Sequence, residues 1–391
     1  MIRFDPDMAL PAAVLRSAPH LGAACLILYV VTITLVSWFA PAANWDLVAY
    51  TATAIEHRVA GAEALHGQAY AAVRDAVTEG QFLVLTGDRP YRVAQYHDAN
   101  AFASMLGFYR VKFLFVELAA WLSTMMHPVE ALRLISTASC LAVGLLALAW
   151  TASRGLLALG PLVVALLVFC DLGATARLVT PDLFAGFFVV AGVLLFVRGN
   201  DVLSATALLA ATLTRPDHLA LMACMLAVAV VIRRGVGPFL VATVVAGAAS
   251  AWISQASGHP GWWVHMWFNF VEGVPTLEGF DPAFSLTTYV MIVIEVVVRS
   301  LIDENWLGLA IVLAFTAAAL LRAGWRPDAR TGAALAALLL CELGKLVVTP
   351  FDETRFHFAY LVCAGLLIID ALNKQVRAGA LSPTGGGGSG A

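Results

Sequence analysis

A single carboxylate directly follows the first apolar stretch of the chain. Asp46 closes the sequence Asn44-Trp45-Asp46, and the apolar run before it covers 18–40. Because tryptophan favours the membrane–water interface, Trp45 is predicted to anchor there and to hold Asp46 at the same level. A carboxylate in that place can act as a general base on a hydroxyl whose reaction partner is anchored in lipid. Asp46 can also cap a helix that begins at Leu47, and the two roles can coexist.

Charged side chains also stand at the ends of several apolar runs or inside them. They occur as Arg110 with Lys112, Arg177 with Asp182, Arg215 with Asp217, and Glu353 with Arg355. Ionisable groups in membrane segments are costly and usually functional. A cluster of such cations near the lipid interface could hold a phosphate, for which the planar fork of arginine is well suited. Taken singly, each charge also fits snorkelling to the interface or a local salt bridge.

Two further charge pairs have the spacing of neighbours on one helix face. Glu342 and Lys345 are three residues apart, and Glu295 and Arg299 are four apart. Side chains at these spacings lie side by side on a helix. We therefore predict that each pair forms a structural ion pair within its own helix.

Histidine and tryptophan side chains are concentrated in two polar loops. His97 and Asp98 belong to the first loop and could hold a divalent cation, whereas Trp263, His265 and Trp267 belong to the second loop. The aromatic set fits either an interfacial belt or a cover over a substrate. No HExxH motif and no glycine-rich phosphate loop occurs, so neither a zinc site nor a nucleotide cofactor is predicted.

The composition indicates that the elements carrying these residues are membrane helices. Of the 391 residues, 61% are hydrophobic and 13% are charged, against about 45–50% and about 25% in soluble domains. The net charge of −3 gives no reason to expect a nucleic-acid partner. All six cysteines lie in apolar runs without CxxC spacing, which predicts small core residues rather than disulfides. Residues 381–391 are rich in Gly and Ser and are interpreted as a linker outside the fold.

Twelve apolar runs are candidates for membrane segments. They cover 18–40, 111–127, 130–152, 155–172, 182–198, 202–213, 217–233, 237–256, 286–302, 306–322, 331–349 and 354–372. Clusters of Lys and Arg favour the cytoplasmic side, which places the clusters at 233–234, 322–330 and 374–377 inside, together with the N-terminus. The loops 41–110 and 257–285 and the 350–354 turn are then outside. About ten crossings are predicted.

The number of runs between the outer loop 41–110 and the inner arginines at 233–234 does not fit simple alternation. Six runs lie there, whereas an odd number of crossings is required. One solution is that 202–213 does not cross alone, because a helix of that length reaches only about 18 Å against a hydrocarbon core of about 30 Å. The stretch 202–233 is then one crossing that is broken at Pro216.

A second solution lays 111–127 in the plane of the membrane. Arg154 and Arg198 then come to the inner side, which agrees better with the charge rule. The sequence leaves both solutions open. A similar count makes 286–302 a re-entrant or surface helix before the crossing at 306–322.

Four short motifs are spread over most of the chain. They are NWDLVAY at 44–50, ALRLIS at 131–136, LTRPD at 213–217 and FDETRF at 351–356. In this order they resemble motifs of the GT-C superfamily, the membrane glycosyltransferases that use lipid-phosphate-linked sugars. The first resembles the early outer-loop acid of that superfamily, and the third resembles its Arg-Pro turn. The last is similar to the motif that opens a late span in the mannosyltransferase branch.

The resemblance implies an all-α polytopic fold with juxtamembrane helices in the first outer loop. A GT-C-like catalytic module would cover 1–256, and a further outer loop with the C-terminal spans would cover 257–380. The implied reaction is inverting transfer of a sugar from a polyprenyl-phosphate donor to a hydroxyl of a lipid or glycan acceptor. It would take place on the periplasmic face of a bacterial inner membrane, among membrane lipids.

The resemblance also implies roles for individual side chains. Asp46 would be the catalytic base. The leaving phosphate would be held by Arg355 and Arg215, with Lys112 and Arg110 as further ligands. The side chains expected to bind substrate are Glu353, Asp217, His97, Asp98, Trp263, His265 and Trp267. A transporter or lipid flippase remains the alternative from another class, and an assembly partner in an envelope complex is a third.

Overall fold

The computed structural model describes residues 12–381, with side chains for 17–377. In this part of the chain every regular element is a helix. The first third forms α1 (Ala12–Phe39), α2 (Asp46–Ile55), α3 (Ala62–Ala76), α4 (Glu79–Gly87), α5 (Pro90–His97), α6 (Ala99–Met105), α7 (Gly107–Arg110) and α8 (Phe113–Leu122). The middle third forms α9 (Pro128–Ser153), α10 (Gly160–Phe169), α11 (Leu172–Arg177), α12 (Asp182–Val197), α13 (Asp201–Thr214), α14 (Leu219–Ile232) and α15 (Val236–Ala256). The last third forms α16 (Trp262–Phe270), α17 (Leu286–Ile302), α18 (Trp306–Arg322), α19 (Ala329–Val348) and α20 (Phe358–Leu381).

Four short 3₁₀ helices connect some of these elements. They cover Glu56–Arg58, Leu157–Leu159, Pro216–His218 and Thr354–Phe356. Most of the predicted linker, 382–391, lies outside the described residues.

Five helices are long and apolar enough to cross a membrane. They are Ser17–Phe39 within α1, α9, α15, α19 and Phe358–Arg377 within α20. The pair α17 and α18 makes a sixth if it is taken as one span, but the two helices are bent by 77° relative to each other. This bend lies where the sequence predicted that 286–302 is distinct from the crossing at 306–322. The all-α membrane fold is thus supported, while the total of ten crossings stays a prediction.

Contacts between distant parts of the chain define one end of the helix bundle. Arg330 binds Asp201 at 2.9 Å, and Arg154 lies 3.9 Å from Asp370. Arg198 donates a hydrogen bond to the last turn of α9 at 2.6 Å. We call this region the basic end, because it gathers Arg154 and Arg198, which follow α9 and α12, and Arg330 in the first turn of α19.

Helix α13 runs from the basic end to the opposite end of the bundle. It begins at Asp201, and Arg215, the residue after its last turn, contacts Asp182 at the start of α12. Its 14 residues span about 21 Å, and Pro216 ends the helix because a proline disfavours helical geometry in the residue before it. Helix α14 returns toward the basic end, since Gly235 lies beside Asp201. Residues 202–233 thus form a helical hairpin, and how the runs between 111 and 233 cross the membrane stays a prediction.

The first polar loop folds into a helical cap with its own hydrophobic core. Helices are present in this loop as expected, and they begin with α2, its following 3₁₀ turn and α3. Their buried residues form one cluster with Phe115 and Val116 of α8 and with the first turns of α9. Helix α8 therefore packs into this cap, which explains why the apolar run 111–127 forms no long helix.

The larger hydrophobic cluster joins helices from both parts of the chain. It includes residues of α1, α9 and α12–α15 together with residues of α18–α20, on both sides of position 256. Four of the cysteines are buried in it, as expected for small core residues. At Gly22, α1 packs closely against the segment that carries Leu157, since a Cβ at position 22 would overlap the carbonyl oxygen of Leu157.

Candidate functional site

Asp46 lies in the first turn of α2. This part of the molecule is at the end of the bundle opposite the basic end. The Oδ2 atom of Asp46 accepts hydrogen bonds from Asn44 at 2.8 Å and from the guanidinium of Arg355 at 2.9 Å. Trp45 is the N-cap residue, and no side chain caps α2. The capping role predicted for Asp46 is thus absent, because its carboxylate turns toward Arg355. Trp45 is buried, with its ring edge-to-face against Tyr91.

Arg355 is the centre of a cluster of carboxylates. Besides Asp46, its guanidinium lies 3.5 Å from Asp182 and 2.7 Å from Glu353. The segment that carries it is held in place by Glu304, whose carboxylate accepts the backbone N–H of Thr354 at 2.9 Å. Asp46 and Arg355 are 309 residues apart in sequence, so only the tertiary fold brings α2 and the 3₁₀ turn before α20 together.

Asp182 links this cluster to Arg215. Its side chain is 1% exposed, and its two oxygens contact Arg215 and Arg355. Arg215 also binds Asp217 at 3.0 Å, and Asp217 binds Lys345 at 2.9 Å. An alternating chain of charges thus connects Asp46, through two arginines and two further aspartates, to Lys345. The sequence marked Asp182 as a charge at the end of an apolar run but gave no sign that it bridges two arginines.

The predicted ion pair between Glu342 and Lys345 is wrong. Lys345 donates to Asp217 and to the carbonyl of Phe356, while Glu342 binds His357 at 2.6 Å. Both residues lie on one face of α19 as expected, but each finds a partner on a neighbouring segment. The pair of Glu295 and Arg299 is confirmed at 2.7 Å.

A polar cavity of about 370 Å³ lies over the charge cluster. Its walls include Asp46, Asp182, Arg215, Glu353 and Arg355. Aromatic side chains from three regions complete the walls, namely Tyr50, Phe108, Tyr109, Phe268, Phe270, Phe351 and Phe356. The cavity therefore offers cations, carboxylates and ring faces to the same bound molecule.

A second, mostly apolar groove of about 500 Å³ adjoins the polar cavity. It runs along α14, α15 and α19, where Leu219 and Val348 are among the residues that line it. Lys112, Arg215 and His265 line both spaces. An amphiphile could therefore place a charged group at these three side chains and an apolar chain in the groove.

Lys112 is the cation of the cavity wall that lacks a carboxylate partner among the described residues. Its ammonium donates to the carbonyl of Phe108, whereas Arg215, Arg299 and Arg355 each form ion pairs. Burial and the nearby charge of Arg215 lower the pKa of Lys112 to about 8, although nearby aspartates act in the opposite direction. An anionic ligand would supply the counter-charge that this lysine lacks.

Two other titratable groups of the wall have pKa values that are shifted by burial. Burial raises the pKa of the Glu353 carboxyl above its ordinary value, although Arg355 acts in the opposite direction. Burial holds the pKa of His265 well below its usual range, and Lys112 adds to that effect. His265 is therefore a neutral imidazole, and its ring stacks on Phe108 at 4.5 Å.

The other residues predicted to bind substrate or phosphate do not line the polar cavity. Arg110 instead pairs with Glu56 through both guanidinium nitrogens. Asp98 caps α6, accepting the backbone N–H of Asn100 at 2.8 Å. His97, Trp263 and Trp267 likewise lie outside the cavity wall. The described residues contain no group of three or more His, Cys, Asp or Glu side chains that could hold a metal ion.

Comparisons of the chain with protein-family models, with curated proteins and with solved structures give no match.

Proposed function

We propose that this protein is a membrane glycosyltransferase that moves a sugar from a polyprenyl-phosphate donor to a hydroxyl of a lipid or glycan acceptor. We place it, as part of the same proposal, in the inner membrane of a bacterium with the cavity facing outward. The observation that carries the proposal is the junction between the charged cavity and the apolar groove at Lys112 and Arg215. A phosphate at this junction would meet two cations, and the polyprenyl chain would occupy the groove.

In the proposed reaction, Asp46 and the cations have separate roles. The acceptor hydroxyl gives its proton to the Asp46 carboxylate, and its oxygen attacks the anomeric carbon on the face opposite the phosphate. The bond between that carbon and the phosphate oxygen breaks, and the electron pair leaves with the phosphate. Arg215 and Lys112 stabilise the charge that develops there, a contribution of several kcal/mol in preorganised sites.

Arg355 has a different part in this proposal, because it is bound to Asp46 in the absence of substrate. In this state Oδ2 of Asp46 is engaged by two donors, the guanidinium of Arg355 and the amide of Asn44. When Arg355 turns toward the donor phosphate, it keeps Asp182 and Glu353 as partners. Asp46 is then free to accept the proton, and donor binding and base activation are coupled.

The proposal is tested with a labelled polyprenyl-phosphate sugar and purified protein in detergent. Asp46→Asn should reduce sugar transfer about a hundredfold or more, since a general base contributes at least that factor. Asp352→Asn is the matched control, because Asp352 lines the same cavity but pairs with the partly exposed Arg299. Transfer that survives the Asp46 substitution in folded protein would remove the catalytic assignment.

A lipid flippase is the second candidate, and the same junction of cavity and groove favours it. A phosphate headgroup in the charged cavity and its tail in the groove would equally suit a lipid in transit. This reading predicts lipid flux in sealed vesicles without a new covalent product. Formation of a glycosylated product separates the two.

A further inference from the structure

An apolar groove of about 320 Å³ lies between α18 and α19 and is floored by α20. It exists because the facing side chains are small. The residues that leave this space are Ala310, Ala314 and Ala318 of α18, Gly332 and Ala336 of α19, and Ala364 of α20. The stretch from Ala310 to Leu321 measures about 16 Å along the helix axis, which suits an extended hydrocarbon chain.

A polar pocket of about 390 Å³ adjoins the groove at the basic end. Trp325 and Pro327 line both spaces. The pocket also carries Arg326 and Lys374, which stand at the C-terminal sides of α18 and α20. The groove could hold the apolar tail of an amphiphile, and the pocket could hold its charged headgroup. Both lie at the opposite end of the bundle from the candidate functional site.

The charges of this pocket leave one arginine uncompensated. Asp328 is engaged as the cap of α19, accepting from the backbone N–H and the hydroxyl of Thr331. Asp370 is engaged by Lys374 at 2.9 Å. Arg326 has no carboxylate partner among the described residues and donates only to two backbone carbonyls, at 3.2 and 3.3 Å. Its guanidinium is therefore available to an anion that enters the pocket.

From these observations we infer that a phospholipid with an anionic headgroup binds here, with its phosphodiester at Arg326 and one acyl chain between α18 and α19. The surrounding basic end supports an anionic lipid, since clustered Lys and Arg attract negatively charged headgroups. This site is independent of the proposed transferase, because it shares no lining residue with the polar cavity.

The test measures lipid binding to the purified full-length protein, by native mass spectrometry with phosphatidylglycerol and with phosphatidylcholine. Phosphatidylglycerol should be retained in preference. Arg326→Gln should weaken its binding about tenfold or more, since a hydrogen bond to a charged group is worth about 1.5–3 kcal/mol. Arg322→Gln is the matched control, because Arg322 is an exposed arginine one turn earlier that does not line the pocket.

A second pair of variants tests the groove itself. Ala314→Phe fills it and should also reduce phosphatidylglycerol retention, whereas Ala319→Phe points a similar side chain away from the groove and should leave retention unchanged. Ala314 and Ala319 are both exposed, so neither change disturbs the core. Equal binding of the two lipids, or full retention in Arg326→Gln, would overturn the inference.

Discussion

Asp182 offers a sharp test of the charge cluster, because it is the buried link between the two arginines. Asp182→Asn keeps the size of the side chain and removes its charge. Breaking a buried ion pair typically costs about 3–5 kcal/mol. Here Arg215 keeps Asp217 at 3.0 Å and Arg355 keeps Glu353 at 2.7 Å. We therefore expect Asp182→Asn to lower the free energy of unfolding by about 3 kcal/mol, the lower limit of that range.

The assay is thermal unfolding of the purified protein in detergent, followed by circular dichroism. A loss of about 3 kcal/mol corresponds to about 6 °C in Tm, at about 2 °C per kcal/mol for a long chain. Asp352→Asn should cost less than about 1 kcal/mol, because its partner Arg299 is partly exposed and also binds Glu295. Equal Tm values for the two variants would refute the bridging role of Asp182.

Further predictions concern the cavity lysine, the segment that carries Arg355, and one helix crossing. Since the pKa of Lys112 is about 8, binding of a short-chain prenyl phosphate should weaken from about pH 7 to about pH 9 as the ammonium charge is lost, and Lys112→Arg should abolish this decline; a flat wild-type profile would contradict it. Glu342→Gln should speed hydrogen exchange in the 350–357 segment, because His357 loses its charged partner; unchanged exchange would count against that role. Gly22→Ala should destabilise the fold by about 2 kcal/mol through overlap with a backbone carbonyl. Gly237→Ala, where the space is open, should stabilise it by up to about 1 kcal/mol in the same unfolding assay.

Much of the site's chemistry was readable from residue types and from their places in the apolar pattern. Asp46, Arg215, Arg355 and Glu353 were all predicted site residues, and all line one cavity. The reason is that charged groups beside apolar runs are energetically costly, so the few that occur stand out against the apolar background. Lys112 was predicted for the same reason, and it also lines this cavity.

The ion-pair partner of each charged residue could not be predicted from the sequence in the same way. The helical spacing of Glu342 and Lys345 predicted that they pair, but tertiary packing gave each a partner from another segment. Arg110 was a candidate phosphate ligand until the fold of the cap placed Glu56 beside it. Short spacing indicates only that two side chains share a helix face, whereas an ion pair depends on what else packs against that face.

The sequence by itself determined that the described chain is helical, where the long apolar helices lie, and which charged residues are unusual. Those features depend on local periodicity and on the cost of placing charge beside lipid, both of which act within one segment. Only the tertiary structure decided that Asp182 joins the two arginines, that α13 runs the full length of the bundle, and that an apolar groove meets the charged cavity. These depend on contacts between different segments of the chain, from 33 residues apart for Asp182–Arg215 to 309 for Asp46–Arg355.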